Sequence, residues 1–262
     1  MNSLNIWDYT QGLTVVLSEA GKYFLLLLLV VLAVRLWRRL SHLSGPNRQK
    51  MLLFASVASI LAAVVGYFSI SNSLGRLYFY YGTRAVNAGN FGSALLLFQT
   101  SAKDWKTPDA LGREGVCMLW NGMTNQGMAL ISEAANMRKS QSTFEDYYEG
   151  LYFFNQNQWD TAAPLLASAS DDVQFRGNAV KLVSVIELEK GNPQKADQLM
   201  QPFAAAEVTD YCQAYIMASL DLWKSNRTEA ATLAQKYNPS DLPPFWKSRF
   251  QKLDAQLQAR AP

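Results

Sequence analysis

A 34-residue spacing organises the C-terminal part of this chain and limits the folds open to it. Four alanines recur at multiples of 34 residues, and we call this series the alanine ladder: Ala94, Ala162, Ala196 and Ala230. Met128 occupies the one position, or rung, of the series at which the alanine is missing. Turn-forming positions precede the five rungs by four residues: Asn90, Thr124, Gln158, Asn192 and Asn226. A period of this length predicts stacked two-helix units, because each unit buries its apolar face against its neighbours.

Large and small residues recur in the same register, most clearly in the first and third units. The first unit carries Tyr78, Tyr81-Gly82, Ala85, Ala94 and Phe98, and the third carries Gly150, Phe153, Trp159, Ala162 and Leu166. This pattern resembles the tetratricopeptide repeat family. The second unit departs from it, with Val116 where the glycine belongs. The resemblance implies an all-α solenoid of about five repeats over residues 75–241, with the first helix of each repeat, helix A, lining a groove.

The C-terminal segment, residues 242–262, has the pattern of a capping helix and tail. Its apolar positions recur at helical spacing: Trp246, Phe250, Leu253 and Leu257. The opposite side carries Lys247, Arg249, Lys252 and Asp254. We therefore expect one side to cover the final repeat and the other side to face water.

Two apolar segments precede the repeats. They predict a transmembrane hairpin over residues 23–72, with spans at about 23–37 and 51–71, a basic loop at 38–50 and an N-terminal segment at 1–22. The second segment is uncharged and exceeds the roughly 20 residues that cross a bilayer. The first is shorter, but Lys22 and Trp37 flank it as interfacial residues do.

Basic residues between the two segments predict the orientation of the chain. Arg35, Arg38, Arg39, Arg48 and Lys50 stand there without an acidic residue. Because basic short loops stay in the cytoplasm, we expect a two-span protein of the bacterial inner membrane with its repeats in the periplasm. The net charge of +3 is small for 262 residues and does not indicate a nucleic-acid surface.

The sequence offers little for catalysis or for binding a cofactor. It contains no phosphate-binding glycine loop, no nucleophile elbow and no histidine beyond His42 in the basic loop. The pair Glu145-Asp146 is expected at a helix start, where carboxylates complement the helix dipole. Cys117 and Cys212 lie three repeats apart, too far for a disulfide. We expect no enzyme activity, no catalytic residue, no cofactor and no metal site.

The repeat register predicts a peptide-binding groove. Its residues are Phe79, Asn87, Arg113, Trp120, Asn121, Tyr147, Phe154 and Asn155. Three of them, Asn87, Asn121 and Asn155, form a column whose amides can hold the backbone of an extended peptide. The alternative is that asparagine simply suits the end of a helix next to a turn.

These features together predict a membrane-anchored interaction scaffold or chaperone-like adaptor that binds partner segments on the outer face of the cytoplasmic membrane. The layout resembles that of the tetratricopeptide subunit of the cytochrome c maturation machinery. The alternative is a fixed structural subunit of an envelope secretion, pilus or polysaccharide-export complex. In both cases the expected partners are proteins and the membrane.

Overall fold

The computed structural model describes residues 23–24, 26–40 and 46–259. Within those residues all regular structure is helical. The predicted N-terminal segment 1–22, the loop residues 41–45 with His42, and the last residues of the predicted tail, 260–262, lie outside the described part. The chain divides into two compact units, Met1–Ala110 and Leu111–Pro262.

Unit 1 begins with two helices that run antiparallel. Helix α1 is described at residues 23–24 and 26–40, and α2 comprises Pro46–Asn87. The Trp37 indole donates a hydrogen bond to Ser59 Oγ at 3.1 Å, and a Leu26 methyl lies 3.2 Å from the Cβ position of Gly66. The helices extend into the predicted loop 38–50 from both sides, so the connection is shorter than expected.

Helix α2 is long and apolar enough to cross a membrane, and it is the one such helix among the described residues. It contains the whole predicted span 51–71.

Helix α2 also supplies the first helix of repeat 1 without a break. The predicted hairpin end at residue 72 and the predicted solenoid start at 75 both fall inside this 42-residue helix. Its partner α3, Phe91–Asp104, packs closely because Gly75 and Gly82 carry no side chain. A Cβ at Gly75 would lie 2.4 Å from Trp105 Cβ, and one at Gly82 would lie 2.8 Å from the Phe98 ring.

The remaining helices pair in chain order. They are α4 Pro108–Trp120 with α5 Thr124–Arg138, α6 Thr143–Asn155 with α7 Trp159–Ala169, α8 Arg176–Glu189 with α9 Pro193–Met200, and α10 Tyr211–Trp223 with α11 Arg227–Gln235. Two short 3-10 helices, Gln201–Phe203 and Pro239–Asp241, follow α9 and α11, and α12, Pro244–Ala259, ends the described chain. Repeats 2 to 5 are these four pairs.

The predicted alanine ladder is confirmed. Ala94, Ala162, Ala196 and Ala230 are fully buried. Each corner between paired helices contains one residue with positive φ, which reverses the chain. These residues are Gly89, Gly122, Asn157, Gly191 and Ser225.

The second repeat is shifted by one residue relative to the 34-residue period. Helix α5 starts at Thr124, 33 residues after α3 starts at Phe91. The residue of repeat 2 that corresponds to the ladder alanines is therefore Gly127, which is buried. The assignment of this position to Met128 was wrong. A Cβ at Gly127 would lie 2.6 Å from the Gly115 carbonyl oxygen, so α4 and α5 touch backbone to backbone.

Candidate functional site

Aromatic and basic side chains fasten helix A of repeat 2 to helix A of repeat 3. The Arg113 guanidinium lies over the Phe144 ring, 4.0 Å from its centroid. The Trp120 indole donates a hydrogen bond to the Tyr148 carbonyl oxygen at 3.2 Å. Arg113 and Trp120 were both predicted in the groove, and both are half-buried. Part of each side chain joins α4 to α6, and the rest remains accessible.

Tyr147 continues this aromatic surface toward repeat 4. Its ring stacks on Phe175 with centroids 4.8 Å apart and an interplanar angle of 19°. It also meets Tyr148 edge to face at 5.1 Å. Burial, followed by the neighbouring Tyr148, raises the pKa of Tyr147 to about 12. The phenol therefore stays neutral at physiological pH and serves packing and hydrogen bonding.

The start of α6 is fixed by a capping box and a buried ion pair. The Ser142 side chain accepts a hydrogen bond from the Glu145 backbone N–H, and Glu145 accepts one from the Ser142 backbone N–H. The Glu145 carboxylate also accepts from Arg138 at 2.6 and 2.5 Å. A Cβ on Gly112 would lie 1.5 Å from this carboxylate, so the pair occupies space that Gly112 leaves open. The predicted position of Glu145 at a helix start is confirmed, and its burial was missed.

Two further carboxyl groups of α6 are buried. Asp146 accepts a hydrogen bond from Ser168 Oγ of α7 at 2.6 Å, and Glu149 accepts one from Gln141 Nε2 at 2.6 Å. Burial raises the pKa of Asp146 and the pKa of Glu149 above their ordinary values. Asp146 thus connects α6 to α7, and Glu149 connects α6 to the segment that precedes it. Both carboxyl groups serve the packing of the repeat.

The three asparagines of the predicted column do not hold the same position in their helices. Asn87 and Asn155 are the last residues of α2 and α6, whereas Asn121 lies beyond the end of α4 because repeat 2 is shifted. The Asn121 amide donates a hydrogen bond to the Cys117 carbonyl oxygen at 2.7 Å. Trp120 holds the position in repeat 2 that corresponds to Asn87 and Asn155. All three asparagines therefore stand at helix ends, and peptide binding by their amides stays a prediction.

Two predicted groove residues serve packing. Phe79 belongs to unit 1, where its ring meets the rings of Phe98 and Trp105, each at 5.6 Å. Phe154 is 1% exposed and contacts Phe245 of α12 at 4.9 Å. Arg113 and Trp120 contact α6 from α4, and Tyr147 of α6 contacts Phe175, so these three predicted groove residues lie on neighbouring helices of unit 2. We call the surface formed by α4 and α6 around these three residues the aromatic face.

Helix α12 does more than cap the last repeat. Its Phe245 contacts Phe154 in repeat 3, and its Trp246 and Phe250 contact Tyr215 in repeat 5 at 6.0 and 5.8 Å. These two partners lie on helix A of their repeats. The expected cover of the final repeat is present, and the extension of α12 back to repeat 3 was not predicted.

Arg249 was expected on the water-facing side of α12, and this prediction was wrong. The residue is 8% exposed. Its guanidinium lies 2.9 Å from Glu189 and donates a hydrogen bond to Asn157 Oδ1 at 3.2 Å. A charged residue at helical spacing looks like a surface residue until its distant partners are known, and Asn157 is 92 positions away.

The two cysteines are free thiols. Burial raises the pKa of Cys117 to about 12, while the nearby Arg113 charge lowers this pKa and the Glu114 charge raises it by smaller amounts. Burial also raises the pKa of Cys212. Since the thiolate is the reactive form, both residues behave as small apolar groups.

Paired helices, left-handed corners and a ladder of small residues define a tetratricopeptide-like repeat fold. The solved structure of PilF from Pseudomonas aeruginosa matches with a TM-score of 0.56 and 14% identity, covering 72% of this chain and 85% of that chain. A structure of MamA from Desulfovibrio magneticus RS-1 has a TM-score of 0.46 and 15% identity, covering 72% and 97%. No protein-family model and no curated protein matches the sequence. At this identity, the likeness to PilF concerns the fold.

Proposed function

We propose that this protein is a non-enzymatic, membrane-anchored scaffold that binds segments of other proteins. The observation that carries the proposal is the continuity of α2. Residues 51–75 are uncharged and rise about 37 Å, enough for a hydrocarbon core of about 30 Å. The same helix then becomes the first helix of repeat 1, so repeat 1 attaches to the anchor without a flexible linker.

The surface of α2 fits a lipid environment. Large apolar side chains on this helix remain uncovered by the rest of unit 1: Leu53, Phe54, Tyr67 and Phe68 are 66 to 71% exposed. Such a surface is costly in water and favourable in a bilayer. Backbone polar groups in a membrane must be bonded within the segment, which a continuous helix achieves.

Helix α1 completes the anchor as a second span in this proposal. It runs antiparallel to α2, as a hairpin through the bilayer requires, and the small residues Ala55 and Ala62 are buried. The end of α1 carries Arg35, Arg38 and Arg39, the start of α2 carries Arg48 and Lys50, and these basic residues lie on the cytoplasmic side. The protein is then a two-span protein of the bacterial inner membrane with its repeats in the periplasm.

The aromatic face is the proposed binding surface. Arg113, Trp120 and Tyr147 are half-buried, so each is held in place and still offers part of its side chain. Aromatic residues and arginine are enriched where proteins bind one another. Protein segments are therefore the proposed partners, and neither a nucleic acid nor a cofactor is part of the proposal.

Reporter fusions test the anchor and its orientation. Alkaline phosphatase fused after Pro262 should be active, because the enzyme folds only outside the cytoplasm. The same reporter fused near Gly45 should be inactive. Activity near Gly45 combined with inactivity after Pro262 would place the repeats in the cytoplasm.

Photo-crosslinking tests the aromatic face. A crosslinking amino acid at Asn155, which is exposed at the end of α6, should form adducts with partner proteins in cells. The same group at Ala167, exposed on α7, is the matched control on a second helix of the same repeat. Adducts at Ala167 with none at Asn155 would contradict binding at helix A.

A fixed structural subunit of an envelope complex is the second candidate, and a specific observation favours it. Repeat 1 exposes large apolar side chains: Leu77, Tyr80, Tyr81 and Leu96 are 43 to 66% exposed. A permanent lateral contact would cover them. The substitution Leu96→Glu lies on an exposed position, so the fold should persist. Loss of copurifying partners in this variant favours the structural subunit, and retention favours the scaffold.

A further inference from the structure

Helix α12 contacts helix A in each of three successive repeats. Phe245 meets Phe154 of repeat 3, Arg249 meets Glu189 of repeat 4, and Trp246 meets Tyr215 of repeat 5. Helix A is the element that lines the groove in repeats of this class. One amphipathic helix therefore lies along this face of repeats 3 to 5, as a bound helical ligand would.

The arginine of α12 enters a site that suits a guanidinium group. The planar guanidinium group of Arg249 lies 3.6 Å from the Phe245 ring centroid and 5.4 Å from the Trp159 ring centroid. Glu189 supplies the opposite charge at 2.9 Å, and Asn157 accepts a hydrogen bond at 3.2 Å. Asn157 lies at the corner of repeat 3 with φ of 58°. Aromatic planes, a carboxylate and an amide oxygen together recognise arginine better than lysine.

A buried ion pair contributes little to a permanent cap. Removing two charges from water is energetically unfavourable, and apolar residues of similar size often pack equally well or better. Paired charges do fix the register and the identity of a bound helix. The Arg249–Glu189 pair thus has the properties of a recognition contact.

A short segment joins α11 to α12, and its Tyr237 and Leu242 pack against the core. Residues 236–243 contain a short 3-10 helix, Pro239–Asp241, and a second proline at Pro243. Such a short connection gives α12 an effective concentration on the order of millimolar at its site. A free helix would compete poorly while the contacts of α12 are intact.

We propose that the helix A face of repeats 3 to 5 is a binding site for an amphipathic helix with two adjacent aromatic residues and an arginine. In the ligand, the arginine stands four residues after the first aromatic residue, as Arg249 follows Phe245. Helix α12 occupies the site in cis, and a partner protein's helix with the same pattern displaces it. This inference goes beyond the proposed function, because the contacts of α12 are Phe154, Glu189 and Tyr215 rather than Arg113, Trp120 and Tyr147, and because it does not require the membrane anchor.

A fluorescent peptide of residues 243–259 tests this inference on the full chain in detergent. Fluorescence polarisation should show at least tenfold tighter peptide binding to an Arg249→Ala protein than to the wild type, because its own α12 is weakened while the receptor is intact. The matched control Lys247→Ala changes an exposed residue of α12 and should bind like the wild type. Adding Glu189→Ala to Arg249→Ala should abolish the gain.

Circular dichroism distinguishes displacement from unfolding. The Arg249→Ala protein should retain its helical signal and its cooperative melting. If it unfolds, the half-buried Phe245→Ala variant serves as the weakened form in the same binding assay. Unfolding of both variants would show that α12 is an integral part of the core and overturn the inference. A folded variant that fails to bind the peptide would overturn it as well.

Discussion

Single glycines decide how closely the helices of repeat 2 approach. Gly115 and Gly127 face each other, and a Cβ on either would lie within 3.0 Å of backbone atoms of the other helix. Backbone cannot move aside as a flexible side chain can. Repeat 2 therefore requires glycine at both positions.

Gly127→Ala is expected to lower the free energy of unfolding by about 1 to 3 kcal/mol, the usual cost of overpacking. Gly177→Ala is the matched control, because the nearest side-chain atom to its Cβ position is 3.9 Å away. This control should be neutral or stabilising by up to about 1 kcal/mol, since alanine favours helix. Thermal unfolding followed by circular dichroism measures both, and equal effects would contradict the assigned close contact.

The raised pKa of Glu149 predicts a pH dependence. Burial favours the protonated carboxyl, so its contribution to stability is present at low pH and lost as the pH rises through its folded pKa. Glu149→Gln cannot ionise and should melt at a higher temperature than the wild type at pH 7. The difference should shrink toward pH 4. The exposed Glu207→Gln variant should show no such trend, and a parallel trend there would contradict the assignment to Glu149.

Individual residues differ in how well the sequence revealed them. Ala94 and Ala162 could be predicted as buried, because small residues at a fixed period point to close helix packing. Phe154 and Arg249 could not be placed, since their environment comes from contacts between repeat 3 and α12 that are far apart in sequence. Local periodicity contains no information about such contacts.

The corners between paired helices set where one helix ends and the next begins. Each helix pair turns through one residue in the left-handed region, where glycine is unstrained and other residues are costly. Glycine supplies three of these five corners, and Asn157 and Ser225 supply the other two. Asparagine tolerates this conformation better than serine does.

Ser225→Gly should raise the free energy of unfolding by about 1 kcal/mol, because the φ of 69° is strained for serine. The reverse exchange, Gly191→Ser at φ of 78°, should lower it by a similar amount. Chemical denaturation with an unchanged m-value measures the two effects. Destabilisation by Ser225→Gly would show that the corner does not hold this conformation.

The shift in repeat 2 shows where element prediction from a period fails. A strict 34-residue repeat assigned Asn121 to the groove column and Met128 to the ladder. Repeat 2 lies one residue early from Gly115 in α4 through the corner at Gly122 to Gly127 in α5, and α6 is back in the 34-residue register because Asn155 ends it as Asn87 ends α2. The departure of Val116 from the glycine position was the one visible signal of this shift.

On the scale of the whole molecule, the two-helix period predicted the all-helical repeat fold, and composition predicted an apolar helix long enough to span a bilayer. The union of that helix with repeat 1 was not predicted, because the change from apolar to amphipathic sequence suggests a boundary. Gly75 and Gly82 pack against α3 within the same helix that contains the span. Helix α2 therefore contains both the apolar span and the first helix of repeat 1.

Spin-label accessibility along α2 tests the central claim, a repeat scaffold continuous with a membrane helix, most directly. Labels would be placed one at a time at exposed positions of the protein in lipid nanodiscs, with both cysteines replaced by alanine. Labels at Leu61 and Phe68 should collide with oxygen, as groups in lipid do, and a label at Arg84 should collide with a water-soluble nickel reagent. The helical period should continue without interruption through residues 71–75. Nickel access at Leu61 and Phe68, or a break in the period there, would contradict the account.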